Sequence, residues 1–128
     1  MIYVDTSVLL AGLMAEDRRP PDEFWSRPLV SSRLIEYETW SRVHSRRLAR
    51  SHGVAARALL ARLALLELAP QVLGRALDPF PVPVRTLDAL HLASVWFLAE
   101  RDPTLEVATY DRTQAEAASA MGLRVFEP

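Results

Sequence analysis

Three aspartates stand at positions where the chain is predicted to bring them together. Asp5 follows a short apolar run at residues 1–4, and Asp111 lies two residues beyond a second such run at 105–109. Asp88 lies in the first turn of a predicted helix. The carboxyl ends of parallel strands share one edge of a sheet, so these side chains are expected to meet there. Each aspartate alone also suits a helix cap or first turn, and only their convergence favours a site.

A fourth acid is available on a predicted helix over residues 33–50, where Glu36 and Glu38 compete. Successive helical residues are rotated by about 100°, which places these two side chains about 160° apart. Glu38 shares a helix face with small and apolar residues such as Ser41 and Leu48, which are suited to packing against a sheet. We therefore expect Glu38, and not Glu36, to face the aspartates.

The chemistry expected of such a cluster is metal-dependent. Neighbouring carboxylates repel one another and do not stay ionised together without a cation. Oxygen ligands without cysteine or a required histidine favour Mg²⁺ or Mn²⁺, ions that bridge phosphoryl oxygens and activate water. The chain contains no cysteine and no lysine, which excludes thiolate metal sites, cysteine nucleophiles, Schiff bases and P-loop phosphate binding.

The elements that would position these acids alternate between strands and helices. Strands are predicted at residues 1–4, 29–32, 105–109 and 123–126, with a further edge strand at 67–70. Helices are predicted at 8–14, 22–26, 33–50, 54–66, 86–99 and 111–121, and a proline-rich connection at 78–84. This alternation predicts an α/β fold, a short parallel sheet with helices on both faces in a three-layer sandwich.

Length and charge limit the remaining possibilities. A chain of 128 residues suits one domain over 1–128, and no apolar run reaches the roughly 20 residues that span a bilayer. With no basic leader at the N-terminus, we expect a soluble, cytoplasmic protein without a membrane partner. Net charge is −1, yet residues 39–66 contain no acid. Arg42, Arg46 and Arg50 are spaced to form one helical stripe, which suits either RNA or solvent.

Four sequence blocks surround the acids in a fixed order. They are Tyr3-Val4-Asp5-Thr6-Ser7, then Ser31-Ser32-Arg33-Leu34 followed by Glu38, then Thr86-Leu87-Asp88-Ala89-Leu90-His91-Leu92-Ala93, and finally Thr109-Tyr110-Asp111 followed by Gly122-Leu123-Arg124-Val125. Together they resemble the motifs of PIN-domain ribonucleases, most closely the VapC-type toxins of bacterial toxin–antitoxin pairs.

The resemblance implies a PIN-like fold and a Mg²⁺- or Mn²⁺-dependent endoribonuclease. It carries the catalytic, metal-binding roles over to Asp5, Glu38, Asp88 and Asp111, and supporting roles to Ser7 and Thr109. It also implies cleavage of a structured cellular RNA, a cognate antitoxin partner and a homodimer.

Other interpretations are weighed beside this one. His91 lies one turn from Asp88, but a histidine in an apolar helix is typical of a hydrogen-bonded packing residue, and it is left out of the site. Trp25, Trp40 and Trp96 are assigned to the core or a protein interface. A phosphatase with an aspartyl nucleophile would need a second aspartate where Ser7 stands, and a lysine. A non-catalytic RNA- or protein-binding regulatory module of PIN-like fold remains the alternative.

Overall fold

The computed structural model describes residues 1–128 as a parallel sheet surrounded by helices. The strands are β1 (Ile2–Val4), β2 (Leu29–Ser32), β3 (Leu63–Leu66), β4 (Glu106–Ala108) and β5 (Arg124–Phe126). The helices are α1 (Thr6–Leu13), α2 (Leu34–Ser45), α3 (Ala49–Leu60), α4 (Pro70–Ala76), α5 (Thr86–Arg101) and α6 (Arg112–Ala120), with a short 3-10 helix at Asp22–Ser26. None of these helices is long and apolar enough to cross a membrane.

The sheet has the strand order β3-β2-β1-β4-β5, and every neighbouring pair is parallel. From β1 the chain builds outwards through β2 and β3, then returns to add β4 and β5 on the other side. In an open α/β sheet, a crevice forms at the carboxyl end of the strands where this reversal occurs. The residue that follows β1 is Asp5, so the topology places that carboxylate at the crevice.

Both faces of the sheet are covered, as the alternation along β1 shows. Ile2 and Val4 belong to a core cluster that includes Val8 of α1, whereas Tyr3 packs with Val95 of α5 in a second cluster. Successive strand residues point to opposite faces, so two helical layers enclose the sheet. The predicted α/β sandwich with helices on both faces is confirmed.

The predicted helix over 33–50 is wrong, because the chain turns after Ser45. Arg47 adopts a left-handed conformation with φ 55°. The amide of Leu48 donates to the carbonyl of Val43, and that of Arg47 to the carbonyl of His44. This pattern is a Schellman motif, in which glycine usually occupies the left-handed position. Arginine occupies it here, so the stop carried no sequence signal.

This turn also breaks the predicted arginine stripe. Arg42 lies on α2, Arg46 is the residue that caps its end, and Arg50 lies in the first turn of α3. The three side chains therefore do not occupy one face of one helix. Gly53 lies inside α3, although glycine often marks the end of a helix, and an added Cβ there would be 3.7 Å from the ring of Trp40.

The segment after α3 also differs from its prediction. Residues 63–66 were assigned to a helix but form β3, paired with β2 along four residues, and the edge strand predicted at 67–70 is absent. The β3 sequence Leu-Ala-Leu-Leu lacks the β-branched residues that favour strands. Pro70 begins α4, a position that suits proline because the first helical amide needs no partner.

Candidate active site

Asp5 joins β1 to α1 and is held by two hydroxyl groups. Its Oδ2 accepts hydrogen bonds from Ser7 Oγ at 2.6 Å and Thr109 Oγ1 at 2.9 Å. The side chain also caps α1 by accepting from the Ser7 amide. Asp5 is buried, and its Oδ1 accepts no hydrogen bond. One carboxylate oxygen is therefore committed to the fold and the other is free for a ligand.

The same two hydroxyls connect Asp5 to the segment that carries Asp111. The amide of Tyr110 donates to Ser7 Oγ at 3.0 Å, and the amide of Asp111 donates to Thr109 Oγ1 at 3.0 Å. Asp111 then caps α6, its Oδ1 accepting from the first-turn amides of that helix. Ser7 and Thr109 thus fix the two aspartates relative to each other.

Glu38 points from α2 towards α1 and α5. Its Oε1 accepts from Thr6 Oγ1 at 2.8 Å and lies 2.5 Å from His91 Nε2. An ionised carboxylate only accepts hydrogen bonds, so Nε2 must carry the hydrogen. Glu36 lies elsewhere, in a surface ion pair with Arg33 at 2.8 Å. The structure therefore brings Glu38, and not Glu36, to the edge where Asp5 lies.

His91 is the site neighbour whose contacts the sequence did not reveal. The side chain is 1% exposed, and its Nδ1 lies 2.6 Å from the hydroxyl of Tyr3. Burial lowers the pKa of His91, but the hydrogen bond to Glu38 and the charge of Asp5 outweigh it and the pKa is raised. His91 is a buried, hydrogen-bonded packing residue as predicted, and its partner is an acid of the site. The sequence feature that could have indicated its place beside the site is its spacing of one helical turn from Asp88.

The pKa of Asp88 is affected by burial and by the charges of the other acids. Burial, followed by the negative charges of Asp111 and Asp5, raises its pKa above the ordinary value for aspartate. Asp88 and Asp111 line a cavity of about 530 Å³ together with Arg85 and Thr113. The carboxylates are therefore close enough to repel one another, and Asp88 carries this repulsion without a hydrogen bond to relieve it.

The donor chemistry of these side chains fits a hard divalent ion. Hydrogen bonds engage Oδ2 of Asp5, Oε1 of Glu38 and Oδ1 of Asp111, so each of these acids keeps a second oxygen without a bond. Oxygen donors of this kind suit Mg²⁺ or Mn²⁺, and a cation would relieve the repulsion that adds to burial in raising the pKa of Asp88. No group of three or more histidine, aspartate and glutamate side chains is already arranged around one point.

The predicted arginines are placed differently from one another. Arg42 lines a cavity of about 380 Å³ that also contains Glu38. Arg46 and Arg50 are exposed and line none of the described cavities that contain an acid of the site. Trp25 and Trp40 pack against the main core cluster.

Comparison with known proteins identifies the family. The family model described as PIN domain matches residues 2–120. The chain belongs to the PIN domain family. Among curated proteins, this PIN domain is 32% identical to Ribonuclease VapC46 of Mycobacterium tuberculosis (strain ATCC 25618 / H37Rv), an alignment that covers 99% of this chain and 97% of that protein. It is 30% identical to Ribonuclease VapC35 of Mycobacterium tuberculosis (strain CDC 1551 / Oshkosh) over 100% of this chain and 97% of that protein.

No solved structure gives a significant match to this PIN domain. The acidic edge of this chain consists of the four carboxylates of Asp5, Glu38, Asp88 and Asp111. Four different elements contribute to it, since Asp5 follows β1, Glu38 lies on α2, Asp88 on α5, and Asp111 caps α6.

Proposed function

We propose that this PIN domain is a Mg²⁺- or Mn²⁺-dependent endoribonuclease, the toxin of a toxin–antitoxin pair. Similarity to VapC46 and VapC35 along nearly their whole lengths supports a ribonuclease of that group. The observation that supports metal dependence is the set of four carboxylates with uncommitted oxygens. One of them, Asp88, has a pKa that is raised by burial and then by the negative charges of Asp111 and Asp5.

In this proposal Asp5 and Asp88 hold the ion, and Glu38 and Asp111 complete the acidic edge by ligating a second ion or holding water. The chemistry that Mg²⁺ or Mn²⁺ supplies is neutralisation of phosphoryl oxygens and a lowered pKa of water. The ligands would act as anions, and Ser7 and Thr109 hold the Asp5 carboxylate in place by donating two hydrogen bonds to its Oδ2.

The remaining side chains orient the ligands. His91 and Thr6 both donate to the same oxygen of Glu38, which fixes the carboxylate group and leaves Oε2 directed away from these bonds. Tyr3 in turn lies against His91 Nδ1. Burial raises the pKa of Tyr3, so its hydroxyl stays protonated at all working pH values. Ordered ligands of this kind reduce the entropy lost when an ion and substrate bind.

The partners that we propose are an RNA substrate, a cognate antitoxin and a second copy of the chain, and the RNA substrate implies the cytoplasm. Apolar side chains are available for protein contacts, since Leu77 is 88% exposed and Leu73 is 40% exposed on and beside α4. Exposed apolar side chains of this size favour an interface. Light scattering on the purified chain, alone and with its antitoxin, tests both assemblies.

The test of function is cleavage of a fluorescently labelled RNA by the purified protein. We expect cleavage in Mn²⁺ or Mg²⁺, no cleavage in EDTA, and recovery when the ion is restored. Asp88→Asn should keep the circular dichroism spectrum and lose activity. Full activity in EDTA would contradict the proposal, and RNA binding without cleavage in Mn²⁺ would support the non-catalytic alternative.

A further inference from the structure

Several arginines are already engaged within the fold. Arg33 forms ion pairs with Glu36 and Glu67, and Arg19 donates to backbone carbonyls. Others lie over aromatic rings, namely Arg18, Arg27, Arg57, Arg75 and Arg101. Their guanidinium groups have a structural partner, so they are poor candidates for substrate contacts.

Three arginines differ, because each is exposed, has no such partner and lines a cavity beside an acid of the site. Arg85 shares the cavity of about 530 Å³ with Asp88 and Asp111. Arg112 lines a second cavity of about 220 Å³ on which Asp111 also borders. Arg42 lines the third cavity with Glu38. None of the three forms an ion pair with the neighbouring carboxylates, so their donors remain available.

The placement of these arginines supplies the positive charge that an acidic edge lacks for binding phosphates. Carboxylates repel the phosphates of RNA, and a net charge of −1 provides no general attraction. A guanidinium group binds a phosphate through two donors without regard to the base. We propose that Arg42, Arg85 and Arg112 bind phosphates of the substrate strand on either side of the acidic edge. The inference rests on the ribonuclease function proposed above.

The cavity of Arg42 also contains an exposed aromatic ring that could contact a base. Tyr37 lines it and is 70% exposed, although its ring is large and apolar. An exposed aromatic ring beside a phosphate-binding arginine is typical of proteins that stack unpaired bases. In a duplex the base faces are covered by stacking and cannot reach such a ring. We therefore assign to Tyr37 the role of stacking on a base next to the phosphate that Arg42 binds.

The first test compares two double variants that remove the same charge. Arg85→Gln with Arg112→Gln removes the proposed contacts, whereas Arg46→Gln with Arg50→Gln removes two arginines that border no acid. Binding of a labelled single-stranded RNA is measured by anisotropy in EDTA at several salt concentrations. We expect the first variant to bind at least about tenfold more weakly than the wild type. The slope of log affinity against log salt concentration should become shallower by about 0.7 for each lost phosphate contact. The control should bind like the wild type.

Equal losses in both variants, or wild-type binding by the first, would overturn the arginine assignment. Cleavage kinetics in Mn²⁺ give a second readout, since lost phosphate contacts should raise KM more than they lower kcat. The wild type tests the proposed function separately. Absence of cleavage by the wild type in Mn²⁺ rejects the ribonuclease, whereas an active wild type with unaffected arginine variants rejects only this inference.

The second test concerns the stacking role of Tyr37. Tyr37→Ala should weaken binding of the single strand, and Tyr37→Phe should not, because phenylalanine keeps the stacking ring. The same RNA annealed to its complement should bind more weakly than the single strand. Equal binding of the duplex, or loss of antitoxin binding by Tyr37→Ala with unchanged RNA affinity, would show that this ring does not stack on RNA bases.

Discussion

Two adjacent hydroxyl residues at the start of α1 hold two different acids. Thr6 donates to Glu38, and Ser7 donates to Asp5. Both residues lie in the first turn of α1, directly after Asp5, so this one turn sets the separation between a carboxylate at the sheet edge and a carboxylate on α2. The orientation of the acidic edge therefore depends on short polar side chains as much as on the acids themselves.

Glu38 and Glu36 allow a matched test of which acid acts. Glu38→Gln keeps the size of the side chain and loses its charge, and we expect RNA cleavage to fall by about 100-fold or more. Glu36→Gln loses only an exposed pair with Arg33. Such a pair contributes about 1 kcal/mol or less, and activity should be unchanged. Rates are measured in Mn²⁺ beside circular dichroism spectra, and an inactive Glu36→Gln with an active Glu38→Gln would refute the assignment.

Asp88 is predicted to destabilise the fold when no metal is present. Its pKa in the folded protein is raised above the ordinary 3.8, so the folded state binds the proton more tightly than the unfolded state does. Stability then falls as the pH rises from 3.8 through the raised pKa, and the loss persists at neutral pH. Asp88→Asn removes this loss. Because solvent screens a half-buried group, we expect a gain of at most about 1 kcal/mol at pH 7.

Urea denaturation of both proteins in EDTA at several pH values measures this difference. The gain should shrink as the pH falls, since the wild-type carboxyl becomes protonated and the two side chains become equivalent in charge. Mn²⁺ should reverse the order at pH 7 by stabilising the wild type only. An Asp88→Asn variant that is less stable than the wild type in EDTA at pH 7 would contradict the prediction.

The aspartates could be predicted from the sequence because caps and first-turn acids are local signals. Asp5, Asp88 and Asp111 all lie at or next to the start of a helix, as expected. The partners of Glu38 could not be predicted in the same way. Thr6 and His91 are 32 and 53 positions away from it, and no local pattern indicates contacts across such distances.

At the scale of elements, the boundaries that failed have two causes: long-range pairing overrode weak local preference after α3, and the turn after α2 lacks the usual sequence signal. The segment Leu63–Leu66 has a helix-like composition but pairs with β2, which buries Leu63. The turn after α2 is closed by local hydrogen bonds and was missed for a different reason, since it uses arginine where glycine is the usual signal. By contrast, β2 was predicted with the observed bounds, because Leu29–Ser32 combines an apolar start with a polar end.

The turn after α2 provides a stability prediction. Arg47 has φ 55°, a conformation that costs most L-residues about 1–2 kcal/mol. Arg47→Gly removes that cost but gives the unfolded chain more freedom, so we expect a net gain of up to about 1 kcal/mol. Arg47→Val should destabilise by about 1 kcal/mol or more, because a β-branched residue tolerates this conformation poorly.

The neighbouring residue serves as the control for this turn. Arg46 has φ −94°, so Arg46→Gly removes the same charge and relieves no strain. It should lower stability by about 0.5 kcal/mol. Urea titration measures the free energy of unfolding of both glycine variants. Equal effects of glycine at the two positions would show that the left-handed turn is not strained.

At the scale of the whole molecule, strand order determines where the acids meet. The sequence predicted alternating strands and helices, but not that β1 would lie at the centre with β2 and β4 on either side. That order places Asp5 at the point where the strand order reverses. Thr109 and Asp111 follow the neighbouring strand, β4. Helices on both faces then deliver the other two acids, Glu38 from α2 and Asp88 from α5.

Because the four acids come from elements far apart in the sequence, ion binding should stabilise the fold as a whole. An ion bound to the folded state alone, at 100 times its dissociation constant, adds about 2.7 kcal/mol to the free energy of unfolding. We therefore expect Mn²⁺ to shift the complete urea transition and not one part of it, as seen by tryptophan fluorescence and circular dichroism. Asp111→Asn should reduce this shift while the asparagine still caps α6. Glu116 is an exposed acid on the same helix, and Glu116→Gln should keep the shift. Loss of the shift in Glu116→Gln would mean that Mn²⁺ acts through general surface charge and not through the four acids.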